Sequence, residues 1–214
     1  EEPPKYAVFI LATTERHKIL PTILSRCQVF NFDRIQVPSI VEYLQKIAKE
    51  ENIEAEEAAL HLIAEKADGA MRDSLSIFDQ MASFGADGKV TYQGVIENLN
   101  ILDYEYYFKI TESFLEGNIS EALVLYSEVQ RKGFDGELFI NGMANHFRDL
   151  LVAQNAASIE LLEKPVEIAG RYQKQALAVS PSFLITAINI LSESSSNYRM
   201  SRNQRLHVEL CLIK

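Results

Sequence analysis

The chain has 214 residues, 47% of them hydrophobic and 24% charged, which is enough apolar material for one large core or two to three small ones and does not read as disordered. A formal net charge of −9 and a pI near 5.0 argue against a free-standing nucleic-acid binder, whose affinity rests on basic residues that neutralise phosphate; contact with DNA is expected only through an assembled complex. No apolar run reaches the ~18 residues of a membrane span, no signal peptide opens the chain, and the two cysteines, Cys27 and Cys211, fit no metal spacing and read as reduced core thiols of a cytoplasmic protein.

The opening Glu1-Glu2-Pro3-Pro4 looks like the middle of a longer protein. Tyr6 to Ala12 is a continuous apolar run of strand formers, expected as a strand buried on both faces. Pro21 can start a short helix ahead of Thr22-Ile23-Leu24-Ser25-Arg26, and Val29-Phe30-Asn31-Phe32 reads as a second short strand. Two strands cannot make a sheet alone, so residues 1–33 are expected to pair with another chain or to lie across the neighbouring helices of this one.

From Pro38 onward the periodicity is helical. Ile40, Val41, Leu44, Ile47 and Ala48 form one stripe, and Ala58, Leu62, Ile63 and Ala67 a second. Met71, Leu75, Phe78, Met81 and Ala82 form a third, ended by Gly85-Ala86-Asp87-Gly88. Thr91 is placed to cap a short helix containing Val95, Ile96 and Leu99, giving a bundle of three to four helices over 36–100. Further helices are expected at 103–116, 119–132, 135–155, 165–178, 181–199 and 202–213, with the serine patch Ser192 to Ser196 inside one of them. The fold class is therefore mainly α, with a small β-α-β start.

Three places carry chemistry, each with an ordinary alternative. Thr13-Thr14 follow the expected strand, where hydroxyls can bond a phosphate or a water; the alternative is a turn that ends a strand. Arg26 stands at a rigid corner between short helix and strand, where a guanidinium can reach a neighbouring subunit's γ-phosphate; the alternative is a surface arginine favoured by the helix dipole. Arg72 falls in the first turn of a helix that Asp68 or Gly69 should initiate. A cation is disfavoured there unless an anion binds, or unless Asp68 or Asp73 neutralises it. Gly85 to Thr91 only imitates a phosphate loop, because its glycines are too close and Val90 follows Lys89. His17, His61, His146 and His207 show no partner spacing, and His61 and His207 read as surface or satisfied core; no metal site is expected. Glu50-Glu51 and Glu56-Glu57 read as solvated helix faces.

Three of these segments in one order carry a resemblance. Phe9 to Thr14, Lys18 to Cys27 and Ala67 to Ser76 strongly resemble the gamma/tau subunits of bacterial DNA polymerase III, AAA+ ATPases of the clamp loader. Glu1 to Pro4 is similar to the stretch after that family's Walker B strand, and Asn197 to Leu206 to its last collar helices. The resemblance implies that 1–33 is the end of an AAA+ α/β core, 34–100 the lid, and 101–214 the collar that holds a pentamer together. It further implies that Thr14 is sensor 1, Arg26 the arginine finger acting in trans, and Arg72 sensor 2. ATP with Mg2+ is implied as the cofactor of the intact subunit, and none for this chain alone. Since the Walker motifs and zinc-binding cysteines lie outside it, the chain is expected to turn over no ATP by itself. Implied partners are the delta and delta-prime subunits, further gamma/tau copies and the sliding clamp. A non-enzymatic helical scaffold and a delta-prime-like or replication-factor-C-like subunit stand as the rival readings.

Overall fold

The computed structural model describes residues 4, 6–85, 88–162 and 164–214. Most of the opening Glu1-Glu2-Pro3-Pro4 and the Ala86-Asp87 part of the expected 85–88 turn lie outside them. Two compact units are distinguished, Glu1–Arg34 and Ile35–Lys214.

The first unit contains a 3-10 turn, Arg16–Lys18, and helix α1, Pro21–Leu24, with Pro21 at its first position as the sequence suggests. The two expected strands do not form. Among the described residues there is no strand, only a single parallel bridge between Ala55 and Val90 in the other unit. Nor is the apolar run buried: Val8 and Ile10 are each 87% exposed. A strand needs a neighbour for its backbone N–H and C=O groups, and two short segments supply no sheet. Cys27 is likewise exposed rather than a core thiol, because the described residues of this unit build no apolar core of their own.

The second unit holds two helical bundles. The first comprises α2 (Val37–Glu50), α3 (Glu57–Lys66), α4 (Met71–Phe84) and α5 (Tyr92–Leu99). Its core is made by the stripes read from the sequence: Ile40 and Leu44 from α2, Leu62 and Ile63 from α3, Phe78 and Met81 from α4, Val95 from α5. Thr91 caps α5 as expected, its Oγ1 accepting from Gly94 N at 3.2 Å. The start of α4 differs from expectation. Asp68 and Gly69 are both left-handed, at φ 48° and 81°, and cannot begin a right-handed helix, so Ala70 becomes the N-cap.

The second bundle comprises α6 (Tyr104–Leu115), α7 (Ile119–Arg131), α8 (Gly136–Ala153), α9 (Val166–Ala176), α10 (Pro181–Tyr198) and α11 (Gln204–Ile213). These fall within two residues of the expected bounds, with a 3-10 segment, Ala156–Leu162, in the expected break. The side chains of Asp103, Asn118, Asp135, Ser180 and Asn203 accept backbone N–H groups at five of the six helix starts. Helix α8 is the centre, packed on α6, α9, α10 and α11 through Phe139, Ile140, Met143, Phe147 and Leu150. The backbone of Gly142 lies against Tyr107, whose hydroxyl occupies the space a Cβ would need.

His146, on α8, is buried among Tyr107, Phe108, Phe147 and Tyr172. Gln175 donates its amide N–H to the Phe108 carbonyl at 2.9 Å, which turns its Oε1 toward His146 Nε2 at 3.2 Å. The network therefore assigns the proton to Nε2, leaving Nδ1 to accept from the Tyr172 hydroxyl at 3.0 Å. Burial holds this imidazole's pKa down to about 3. The unfolded chain takes up that proton below pH ~6.5, and the folded chain does not. His146 therefore makes stability fall as pH drops from about 6.5 toward 3, by up to ~1.4 kcal/mol per pH unit. Denaturant titrations at pH 7 and pH 5 should show a smaller loss for His146→Gln than for the wild type; equal losses would refute the assignment.

Candidate functional site

Thr14 lies in a bend just before the 3-10 turn and is exposed. Its neighbour Thr13 uses its hydroxyl to accept the Glu15 N–H at 3.0 Å, and Glu15 in turn pairs with Lys18 at 2.7 Å. The Thr14 hydroxyl itself makes no hydrogen bond among the described residues. Arg26 follows α1 in a turn fixed by Arg26 N to Ile23 O at 3.0 Å and Cys27 N to Leu24 O at 3.2 Å. Its side chain is exposed and forms no ion pair among the described residues.

Arg72 is the second residue of α4 and exposed, as the sequence suggests. Among the described residues Asp73 forms no ion pair with it, and the guanidinium stands in a helix's first turn, where four backbone N–H groups already concentrate positive charge. Thr14 and Arg26 belong to the first unit and Arg72 to the second. All three are exposed, Thr14 in a bend, Arg26 in a hydrogen-bonded turn and Arg72 in the first turn of α4.

A polar cluster that sequence reading missed joins the two bundles. Lys164 Nζ donates to Glu65 Oε1 and Oε2 at 3.1 and 3.2 Å and to the Tyr104 hydroxyl at 3.0 Å. Tyr104 in turn donates to Glu65 Oε2 at 2.6 Å. The ammonium also stands 4.6 Å from the Tyr104 ring centroid and 3.9 Å from Asp149 Oδ2. Arg148 bonds the other oxygen of Asp149 at 2.9 Å. Burial pushes the Asp149 carboxyl up, against the pull of Lys164 and Arg148, and burial beside Glu65 pushes the Tyr104 hydroxyl up. Glu65 and Lys164 are 99 residues apart, and neither is marked by periodicity, so no local signal links them. The cluster borders a cavity of about 300 Å³ between the bundles. Close by, His61 proves to be neither plain surface nor satisfied core: its Nδ1 is buried without a hydrogen-bond partner, and burial lowers its pKa.

Among the described residues one serine stands against a histidine ring. Ser194 meets His207 Nε2 at 2.9 Å, but the same nitrogen is 2.9 Å from the Ser194 carbonyl, to which its N–H donates when protonated. Among the described residues no group of three or more His, Cys, Asp or Glu could hold a metal ion, and no single helix is long and apolar enough to cross a membrane. What the site residues can do is meet anionic charge with two exposed guanidinium groups.

Three family profiles match the chain: DNA polymerase III delta subunit over residues 1–36, DNA polymerase III clamp loader subunit ATPase lid domain over 39–87, and DNA polymerase III subunits gamma and tau domain III over 90–214. The chain is 35% identical over 219 residues to DNA polymerase III subunit tau of Bacillus subtilis, covering 100% of this chain and 38% of that one. It is 35% identical to the gamma/tau subunit of Mycoplasma genitalium, covering 94% and 33%, and 31% identical to the tau subunit of Escherichia coli, covering 100% and 33%. It thus spans about a third of the length of these relatives. The solved clamp loader delta protein of Bacillus subtilis superposes with a TM-score of 0.50 at 15% identity, over 94% of this chain and 62% of that one, a likeness of fold.

If Arg72 is held against the field of its own helix, replacing it should stabilise the chain. Arg72→Gln is expected to raise the unfolding free energy by about 0.3–1 kcal/mol at low salt, with the gain fading as salt rises. A loss of stability in chemical denaturation would reveal a hidden partner for the guanidinium.

Proposed function

Since the chain belongs to the gamma and tau subunits of bacterial DNA polymerase III, we propose that it forms the lid and collar of a clamp-loader motor subunit, joined to the end of that subunit's AAA+ core. On this reading α2–α5 are the lid, α6–α11 the collar, and Glu1–Arg34 the last part of the core. The observation that carries the proposal is Arg72: an exposed cation, in no ion pair among the described residues, in the first turn of α4 and within the segment matched by the ATPase lid profile. That placement costs stability unless an anion meets it, and the phosphates of ATP are such an anion.

Thr14 is proposed to bond the γ-phosphate side of the same subunit's nucleotide, and Arg26 to stabilise charge on the nucleotide of the neighbouring subunit. ATP with Mg2+ in the intact subunit supplies the phosphoryl chemistry. This chain's residues bind, orient and neutralise; they offer no phosphate-cradling loop. Subunits drawn together around nucleotide would open a sliding clamp and load it on primed DNA. Assembly with delta, delta-prime and further gamma/tau copies follows from the same reading, as does a cytoplasmic location. The net charge of −9 fits a part that meets DNA only through the assembly.

The roles separate by kinetics. In the assembled full-length subunit, Arg26→Ala should lower ATP hydrolysis by about 10³–10⁵-fold while ATP affinity stays nearly unchanged. Equal loss of binding and hydrolysis would make Arg26 a structural arginine.

A further inference from the structure

Lys164 is offered two carboxylates from opposite sides. Glu65, on α3 of the first bundle, holds it at 3.1 and 3.2 Å; Asp149, on α8 of its own bundle, waits at 3.9 Å. We propose that Glu65 and Lys164 form a reversible latch between lid and collar, with Lys164 passing to Asp149 when the bundles part, and that Glu65 thereby acts as the positioning residue for the Arg72 end of α4.

The latch is built so that opening strands no charge. An unpaired ion left in a protein interior costs several kcal/mol, which normally locks such pairs shut. Here Lys164 and Asp149 travel together, and a shift of about 1 Å brings them to normal charge-assisted bonding distance. The Glu65 side chain is already 25% exposed, against 12% for Lys164 and 10% for Asp149, so release returns it to water. Apolar packing does not fix the angle between bundles by itself. Each has its own core, and among the described residues Tyr104 packs against both. The covalent link is short, from Asn100, left-handed at φ 50°, to Asp103, which caps α6.

Glu65 is also mechanically tied to Arg72. Its carbonyl accepts the Asp68 N–H at 3.2 Å, the Ala67 carbonyl accepts Ala70 N–H at 3.0 Å, and the Gly69 carbonyl accepts Ile35 N–H at 3.2 Å. With Asp68 and Gly69 fixed in the left-handed region, this turn leads into α4, where Arg72 is the second residue. Force applied to the Glu65 carboxylate is therefore delivered to the helix start that carries Arg72.

The positioning role rests on the reading of Arg72 as a nucleotide sensor; the latch itself does not. Pulsed electron resonance between spin labels at the exposed Lys49 and Glu193, in the full-length subunit, reads the spacing of the bundles. Without nucleotide, Lys164→Met should raise a longer-distance population about tenfold, and Glu65→Gln should do the same without touching the Lys164–Asp149 pair. An unchanged distribution in Glu65→Gln overturns the latch. With ATP added, Glu65→Gln should keep wild-type ATP affinity but lose the ATP-dependent change in spacing; a retained change overturns the positioning role. The sensor reading fails on a different result, an ATP affinity that Arg72→Ala leaves untouched, and that result leaves the latch standing.

Discussion

One ammonium group, Lys164 Nζ, joins a carboxylate from the first helical bundle to a phenol and a carboxylate from the second. Both bundles close their own cores without it, so the contact adds little to whether each folds. It governs instead the angle at which one stands to the other. An ionic contact suits that task because it is short-ranged, directional and able to exchange partners, whereas a wide apolar interface would hold a single geometry.

The same logic separates this chain's rigid parts from its adjustable ones. Helix α8 buries one face against four other helices, and burial holds His146 neutral at its centre, where two hydrogen bonds orient its ring. Such a core transmits displacement without absorbing it. At the other extreme stand two exposed arginines, Arg26 in the hydrogen-bonded turn after α1 and Arg72 in the first turn of α4, neither of them in an ion pair among the described residues. For Arg72, in the first turn of a helix, that placement gives up a fraction of a kcal/mol, ~0.3–1.

Periodicity made most of the fold legible. The stripes Ile40–Leu44–Ala48 and Phe78–Met81 report which face of a helix is buried, because apolar side chains spaced three and four apart share that face. The start of α5 was legible in the capping residue Thr91. The start of α4 was misread because left-handed Asp68 and Gly69 postpone the helix, and no periodic signal records a backbone angle. The strands expected at 6–12 and 29–32 were misread for another reason: residue type states a preference, but a strand exists only where a neighbour completes its ladder.

The sequence by itself determined the local terms: the mainly helical class, the helical segments of the second unit, and the place of Arg72 in the first turn of α4. These depend on interactions between residues a few positions apart. Tertiary structure alone decided that Glu65 meets Lys164 across 99 positions, that Asp149 waits behind it, and that His146 is buried and neutral. Such contacts are set by how whole helices pack, and nothing in the spacing of residues along the chain encodes which charges that packing brings together.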